Sequence, residues 1–270
     1  MAYIDSSSHL HVTNIVTSSG RRKTLIRATT AMLLVLGTAS RAAAGDEPAR
    51  LLFGMEAAYA RVHGYTARFV RQEVVDGELR PREEALLKFR RPGLIYLRWV
   101  AGPPVGRQIL FVPGKNHDRM LVREPGLFTS LATIVMAPDS PRVLSESRHP
   151  VTDIGIGQLI TLVLDGARRA GAAGELTVRD DGVAPGADGL ERRLAVILPR
   201  EREKGYYCYR LALSVSAESG LPVRAVMYDW DDRTVAAYAY REVRLNPPLT
   251  RTDFDPANPE YGFPHWRVAR

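Results

Sequence analysis

The fold is predicted from the stretch Ala85–Val100, which reads ALLKFRRPGLIYLRWV. Two short runs rich in apolar and aromatic residues flank Arg91-Pro92-Gly93, and this pattern is typical of two β-strands joined by a tight turn. Comparable strands are predicted at Tyr65–Val75, Arg107–Val112 and Arg119–Glu124. Because tight turns join only antiparallel neighbours, we expect the first half of the chain to form an antiparallel meander.

A second set of strands is predicted in the other half of the chain. Its members are Glu175–Asp180, Leu190–Leu198, Tyr206–Ser216, Leu221–Trp230 and Thr234–Val243. Between the two sets lies the clearest amphipathic helix, in which apolar residues from Ile156 to Ala167 recur at helical spacing. A further helix is predicted to begin at Asp46, with Pro48 in its first turn. The predicted fold class is therefore α+β, a half-barrel of about ten antiparallel strands closed by two or more helices.

The first 44 residues have the pattern of an export signal. A basic cluster, Arg21 to Arg27, precedes the short apolar run Ala28–Ala39, and Ala42-Ala43-Ala44 forms a small-residue cleavage site. The apolar run is too short for a membrane-spanning helix, which needs roughly 20 residues. We therefore expect cleavage near Ala44, a periplasmic location, no integral membrane span, and residues 45–270 as a single domain. Its last part, residues 246–270, carries five prolines and is expected to be an extended tail.

Composition excludes several classes of protein. Hydrophobic residues make up 45% of the chain and charged residues 25%, which is ordinary for a globular protein and unlike a disordered chain. The net charge of +7 falls to +3 without residues 1–44, which contain five basic residues and one acid. No basic stripe interleaved with aromatic residues is present, so nucleic acid is not an expected partner. The single cysteine, Cys208, cannot form an internal disulfide.

The order of elements and three short motifs resemble the LolA/LolB-like lipoprotein-carrier fold. The motifs are Tyr65-x-Ala67-x-Phe69-x-x-Gln72, Phe89–Trp99 and Val112-Pro-Gly114. The chain also resembles domain-of-unknown-function family 1571 at Arg148-His-Pro-Val151, at Gly155-x-Gly157 and, most specifically, at Asp253–Phe263. The carrier resemblance implies a periplasmic half-barrel whose helices close an apolar cavity for acyl chains. The turn Pro113–Asp118 and the tail from Asn246 depart from the carrier pattern, so no functional arginine is transferred to this chain.

Side chains at alternate strand positions predict an apolar inner face of the sheet, formed by Phe89, Ile95, Leu97, Trp99, Ile109 and Phe111. The helix 156–167 would cover this face with Ile156, Leu159, Ile160 and Val163. If the helix stands off the sheet, these residues line a cavity for an apolar ligand; if it packs tightly, they form a filled core. The sequence leaves both readings open. We expect a non-catalytic protein whose partner is a lipid, a lipidated protein or another envelope protein.

The sequence contains no complete motif for catalysis or for metal or cofactor binding. The mature histidines lack the spacing of a zinc site, and Gly155-x-Gly157 lacks the third glycine and the preceding strand of a phosphate-binding loop. We therefore predict no catalytic residue, metal or cofactor. The alternative is an envelope hydrolase using His149 with a carboxylate such as Asp153. A further alternative is a structural partner in the envelope.

Overall fold

Twelve antiparallel strands form one sheet in the computed structural model, which describes residues 39–126 and 133–263. The strand order is β7-β6-β5-β4-β3-β1-β12-β11-β10-β9-β8, and the short β2 pairs with β1. The strands are β1 (Gly64–Val75), β2 (Glu78–Leu79), β3 (Glu83–Arg90), β4 (Leu94–Ala101), β5 (Gln108–Phe111), β6 (Met120–Arg123), β7 (Thr133–Met136), β8 (Thr177–Pro185), β9 (Leu190–Ile197), β10 (Arg210–Ser216), β11 (Pro222–Tyr228) and β12 (Thr234–Leu245). The helices are α1 (Ala39–Ala60), α2 (Pro141–Leu144) and α3 (Ile156–Ala172).

The first and last strands meet in the middle of the sheet. Phe69 of β1 pairs with Tyr240 of β12, and Arg71 pairs with Tyr238. This contact joins the two meanders into one sheet, because each meander otherwise pairs only with its own members. It also places side chains that are about 170 positions apart in sequence next to each other on one face.

The apolar core lies on the inner face of the sheet, which we define as the face covered by α1 and α3. Alternate strand residues such as Leu87, Leu97 and Leu213 point to this face and are almost completely buried, together with Met55 of α1 and Val163 of α3. The alternation follows from the pleat, which turns successive side chains to opposite faces. The predicted amphipathic stripe of α3 is the side of the helix that faces the sheet.

Helix α3 is held against its neighbours by close contacts at small residues. A Cβ atom at Gly157 would lie 2.4 Å from the ring of Tyr59, and one at Gly166 would lie 2.7 Å from the ring of Tyr207. The first turn of α3 is also tied to the sheet, since the backbone amide of Ile156 donates to the buried Tyr65 hydroxyl at 2.9 Å. The glycines thus allow α3 to lie close to the surrounding aromatic side chains.

The segment from Asn246 to Phe263 packs on the outer face of the sheet, opposite the core. Tyr261 stacks on Tyr96 of β4 with ring centroids 3.8 Å apart, and Phe254 and Phe263 are buried in the same small cluster. Lys88 of β3 reaches Asp253 at 2.8 Å and lies 5.3 Å from the centroid of the Tyr261 ring. This part of the tail therefore covers apolar outer-face residues that would otherwise be exposed.

Acid is expected to weaken the attachment of the tail. Burial alone would raise the pKa of Asp253, but hydrogen bonds from Lys88 and from the Thr250 backbone amide outweigh it and hold the pKa below its usual value. A carboxylate with a lowered folded-state pKa stabilises the fold above its unfolded pKa, about 3.9, and that contribution is lost as the pH falls through the folded value. Below about pH 4 the wild type should lose this increment of unfolding free energy.

The measurement is the urea midpoint between pH 7 and pH 2.5 for the wild type and for Asp253→Asn. The variant should be less stable at pH 7, and the difference between the two proteins should shrink towards low pH. A difference that stays constant over this range would show that the ionised Asp253 does not hold the tail.

The predicted fold class is confirmed, with two differences in detail. The sheet has twelve strands and not about ten. The sequence did not predict β2 and β7 because strands of two and four residues are too short to show a clear pattern. Helix α1 begins at Ala39 and not at Asp46, so Pro48 lies inside it; the alanines 42–44 are strong helix formers and continue the helix towards the N-terminus. Most of the predicted export signal, residues 1–38, lies outside the described residues.

Candidate functional site

A cavity of about 260 Å³ lies between α3 and the junction of β1 with β12. Its aromatic side is formed by Phe69, Tyr238 and Tyr240, and Leu159 and Leu162 of α3 face them. Phe69 and Tyr240 are buried, with ring centroids 5.2 Å apart, and Phe69 stacks on Tyr238 at 6.3 Å. The cavity therefore has rigid aromatic and aliphatic walls, which is the usual construction of a site for an apolar group.

The mouth of the cavity is polar. Asp153, Gln158, Thr161 and Asp165 line it, and all four are exposed to solvent. The side chains belong to the outward-facing side of α3 and to the turn before it. A ligand can therefore enter from solvent along the flank of the helix without crossing the filled core.

One end of the cavity is closed by a buried polar network around Glu73. Its carboxylate accepts hydrogen bonds from the Tyr238 hydroxyl at 2.5 Å, from the Ser147 hydroxyl at 3.2 Å and from the Arg148 backbone amide at 3.2 Å. Burial raises the pKa of Tyr238 far above its usual value, and the neighbouring Glu73 carboxylate raises it further. Tyr238 is thus a neutral hydrogen-bond donor to Glu73 throughout the physiological pH range.

Two carboxylates at this end share one guanidinium group. Arg71 donates to Glu83 at 2.8 Å and to the Ser147 hydroxyl at 2.7 Å, whereas Glu73 lies 3.8 Å from it. Trp99 donates its ring N–H to the same Glu83 oxygen at 2.8 Å. Glu73 is 3% exposed and faces the cavity, so its charge is only partly balanced by Arg71.

The ten predicted inner-face residues are all buried in one cluster. Of these residues, Leu159 lines the 260 Å³ cavity, Trp99 and Ile109 line a smaller one of about 50 Å³, and Ile156 lines a large open cleft of about 1050 Å³. The other six, Phe89, Ile95, Leu97, Phe111, Ile160 and Val163, line none of these three spaces. The predicted set therefore lies in the buried cluster, and the 260 Å³ cavity lies beside most of it, over β1 and β12.

The hydrolase alternative receives no geometric support. The His149 imidazole lies 4.0 Å from the Asp153 carboxylate, beyond hydrogen-bond distance, and both side chains are more than a third exposed. The Ser147 hydroxyl is buried, and its single proton is within donating distance of the Glu73 carboxylate at 3.2 Å and of the His149 backbone carbonyl at 2.9 Å. No described hydrogen bond joins this hydroxyl to the imidazole, so the three side chains do not form a nucleophile, base and acid in sequence.

The amides that open α3 face tyrosine side chains. The Ile156 amide donates to the Tyr65 hydroxyl, and the Gly155 backbone forms a hydrogen bond with Tyr240. Burial raises the pKa of Tyr240, and the hydrogen bond with Gly155 opposes this rise. Because these amides point at tyrosines, Gly155-x-Gly157 is not shaped to cradle a phosphate. Cys208 is completely buried, and burial raises the pKa of its thiol to about 12, so the thiol is not a ready nucleophile.

The family of the protein follows from a match over most of the folded region. Residues 62–263 match the family described as "Protein of unknown function (DUF1571)". The chain belongs to this family. The match includes every residue named above for the cavity and for the tail cluster. No curated protein matches the sequence.

Solved structures of similar fold are remote in sequence. LppX of Mycobacterium tuberculosis is 15% identical with a TM-score of 0.46, over 77% of this chain and all of that chain. MucB in the MucA/MucB complex of Pseudomonas aeruginosa is 14% identical with a TM-score of 0.42, over 77% of this chain and 60% of that chain. A LolA superfamily protein of Nitrosomonas europaea is 10% identical with a TM-score of 0.32, over 77% of this chain and 97% of that chain. At these scores the likenesses carry no argument about function.

Within the described part of the chain, no helix combines the length and the apolar character that crossing a bilayer would require.

Proposed function

We propose that this protein is a non-catalytic periplasmic binder or carrier of an apolar ligand, held between α3 and the β1–β12 junction. The observation that carries the proposal is the 260 Å³ cavity with aromatic and leucine walls and an open polar mouth. An apolar space of about 150 Å³ can hold one benzene, so this cavity accepts a larger group, such as part of an acyl chain. Export of the mature chain remains the expectation from the pattern of residues 1–44.

The size of the cavity limits the ligand. Sites that enclose a drug-sized molecule measure about 300–1,000 Å³, and this one lies just below that range. A lipid with two or three acyl chains would need α3 to move, and the glycine contacts at Tyr59 and Tyr207 hold α3 in place. A single acyl chain, free or attached to a protein, fits the space without such a movement.

Filling the cavity is expected to abolish ligand binding. In Leu159→Trp the indole should occupy the space beside Phe69 and Tyr240, because Leu159 lines the cavity and is only 6% exposed. The fluorescence of the neutral apolar probe N-phenyl-1-naphthylamine measures the effect. We expect at least about a ten-fold loss of probe affinity, which corresponds to roughly 1.4 kcal/mol.

The matched control is Leu79→Trp, which places the same side chain at a position that is 62% exposed and lines none of the three cavities. It should bind the probe like the wild type. Equal probe binding by Leu159→Trp and the wild type, with both proteins folded by circular dichroism, would refute the location of the site.

A further inference from the structure

The buried end of the cavity carries an excess of negative charge. Glu73 and Glu83 share the Arg71 guanidinium, which bonds Glu83 and stays 3.8 Å from Glu73. Arg148, whose backbone amide bonds Glu73, has an exposed side chain, and its guanidinium donates to the Val74 backbone carbonyl at 3.2 Å. Because Arg71 lies between two carboxylates and is closer to Glu83, it neutralises Glu73 only in part, and a cation in the cavity beside Glu73 would be attracted to the remaining negative charge.

The aromatic side of the cavity favours the same kind of ligand. The rings of Phe69, Tyr238 and Tyr240 surround the space next to Glu73, and Tyr238 is bonded to its carboxylate. Aromatic faces attract ammonium groups through their quadrupole, and quaternary ammonium ions are often recognised by such clusters. The same rings also accept an alkyl chain, so one space serves both parts of an amphiphile.

The mouth adds further negative charge. Asp153 and Asp165 line it, with side chains 47% and 64% exposed. The cation nearest Asp165 is Arg168 at 3.7 Å, and this group bonds Glu56 more closely at 2.6 Å. A positively charged ligand would therefore be attracted towards the entrance as well as the end of the cavity.

From this arrangement we infer that the ligand is a cationic amphiphile, a single alkyl chain with an amine or quaternary ammonium group beside Glu73. The inference rests on the proposed function, since it assigns the ligand class of the same cavity. The ammonium group would lie between the Glu73 carboxylate and the aromatic rings, and the chain would extend along Leu159 and Leu162.

Isothermal titration calorimetry at pH 7 with two probes of equal chain length tests the inference. The probes are octyltrimethylammonium and octyl sulfate, both below their micelle concentrations. We expect the cation to bind at least about ten-fold more tightly than the sulfate. In Glu73→Gln this preference should fall to about two-fold or less, because the amide has no charge. Asp165→Asn, an exposed change that leaves the fold intact, should weaken only the cation, by about two- to three-fold.

Each outcome separates the two proposals. Equal binding of the two probes, or tighter binding of the sulfate, overturns the cationic assignment and leaves the apolar cavity in place. The same holds if neither octyl probe binds while N-phenyl-1-naphthylamine does. If none of the three probes binds, the proposed function itself fails. If Glu73→Gln does not fold by circular dichroism, the Asp165→Asn result decides: an unchanged preference for the cation counts against the inference.

Discussion

Gly102→Ala is expected to destabilise the protein by about 3 kcal/mol or more, since it adds a steric clash to backbone strain. Gly102 has a φ of +72°, and a Cβ atom there would lie 2.2 Å from the Arg82 backbone carbonyl oxygen. A backbone atom cannot swing away as a side chain can. The substitution should therefore displace the start of β3, where Glu83 accepts hydrogen bonds from Arg71 and Trp99.

The control for Gly102→Ala is Gly77→Ala, which has the same type of backbone strain without the clash. Gly77 has a φ of +79° and no atom within 4 Å of the Cβ position. Its cost should be about 1 kcal/mol, the usual penalty for a left-handed alanine. Urea denaturation measures both free energies of unfolding. Equal losses for the two variants would show that the close approach at Gly102 does not matter.

Tyr261→Ala is expected to cost about 3 kcal/mol, the range of a buried aromatic side chain replaced by alanine. The variant loses the stack on Tyr96, the contact with Lys88 and the hydrogen bond from the Tyr261 hydroxyl to the Asp253 carbonyl oxygen at 2.7 Å. Because these contacts attach the tail to the outer face, amide exchange should rise throughout residues 249–263. The core strands should keep most of their protection.

Glu260→Ala is the control for the tail, since the Glu260 side chain is next to Tyr261 in sequence but is 75% exposed. It should change stability by no more than about 0.5 kcal/mol. If Tyr261→Ala and Glu260→Ala have the same small effect, the tail contributes little to the stability of the sheet.

Local sequence patterns were sufficient for the elements and for the core. The two apolar runs in Ala85–Val100 predict strands, the helical spacing from Ile156 to Ala167 predicts a helix with one buried face, and all three elements form where the pattern predicts. The buried positions of the six strand residues follow from the pleat, and those of the four helix residues follow from the helical spacing. Periodicity identifies which side chains are covered, and it contains no information on how closely the covering element approaches.

The position of the cavity depends on contacts that no local pattern contains. Phe69 meets Tyr240 only because β12 returns to pair with β1, and Glu73 meets Tyr238 for the same reason. The signal that was available is the alternation of Tyr238 and Tyr240 with alanines in β12, together with Phe69, Arg71 and Glu73 at alternate positions of β1. Pairing these two strands would have placed the aromatic and charged residues on one face.

The packing of the tail on the outer face of the sheet also depends on contacts between residues that are far apart in sequence. Its prolines disfavour long helices and strands, and the prediction of an extended segment rests on them. The anchoring residues Phe254, Tyr261 and Phe263 are buried against Tyr96, Leu110 and Leu121, which alternate with the inner-face residues of β4, β5 and β6. Apolar residues on both faces of these strands are the sequence sign that something covers the outer face.

The most direct test of the cavity is native mass spectrometry of protein purified from the periplasm of the expressing cell. The account predicts one apolar molecule bound per chain in the wild type and in Leu79→Trp, and ligand-free protein for Leu159→Trp. A ligand-free wild type, or the same adduct retained in Leu159→Trp, would contradict it.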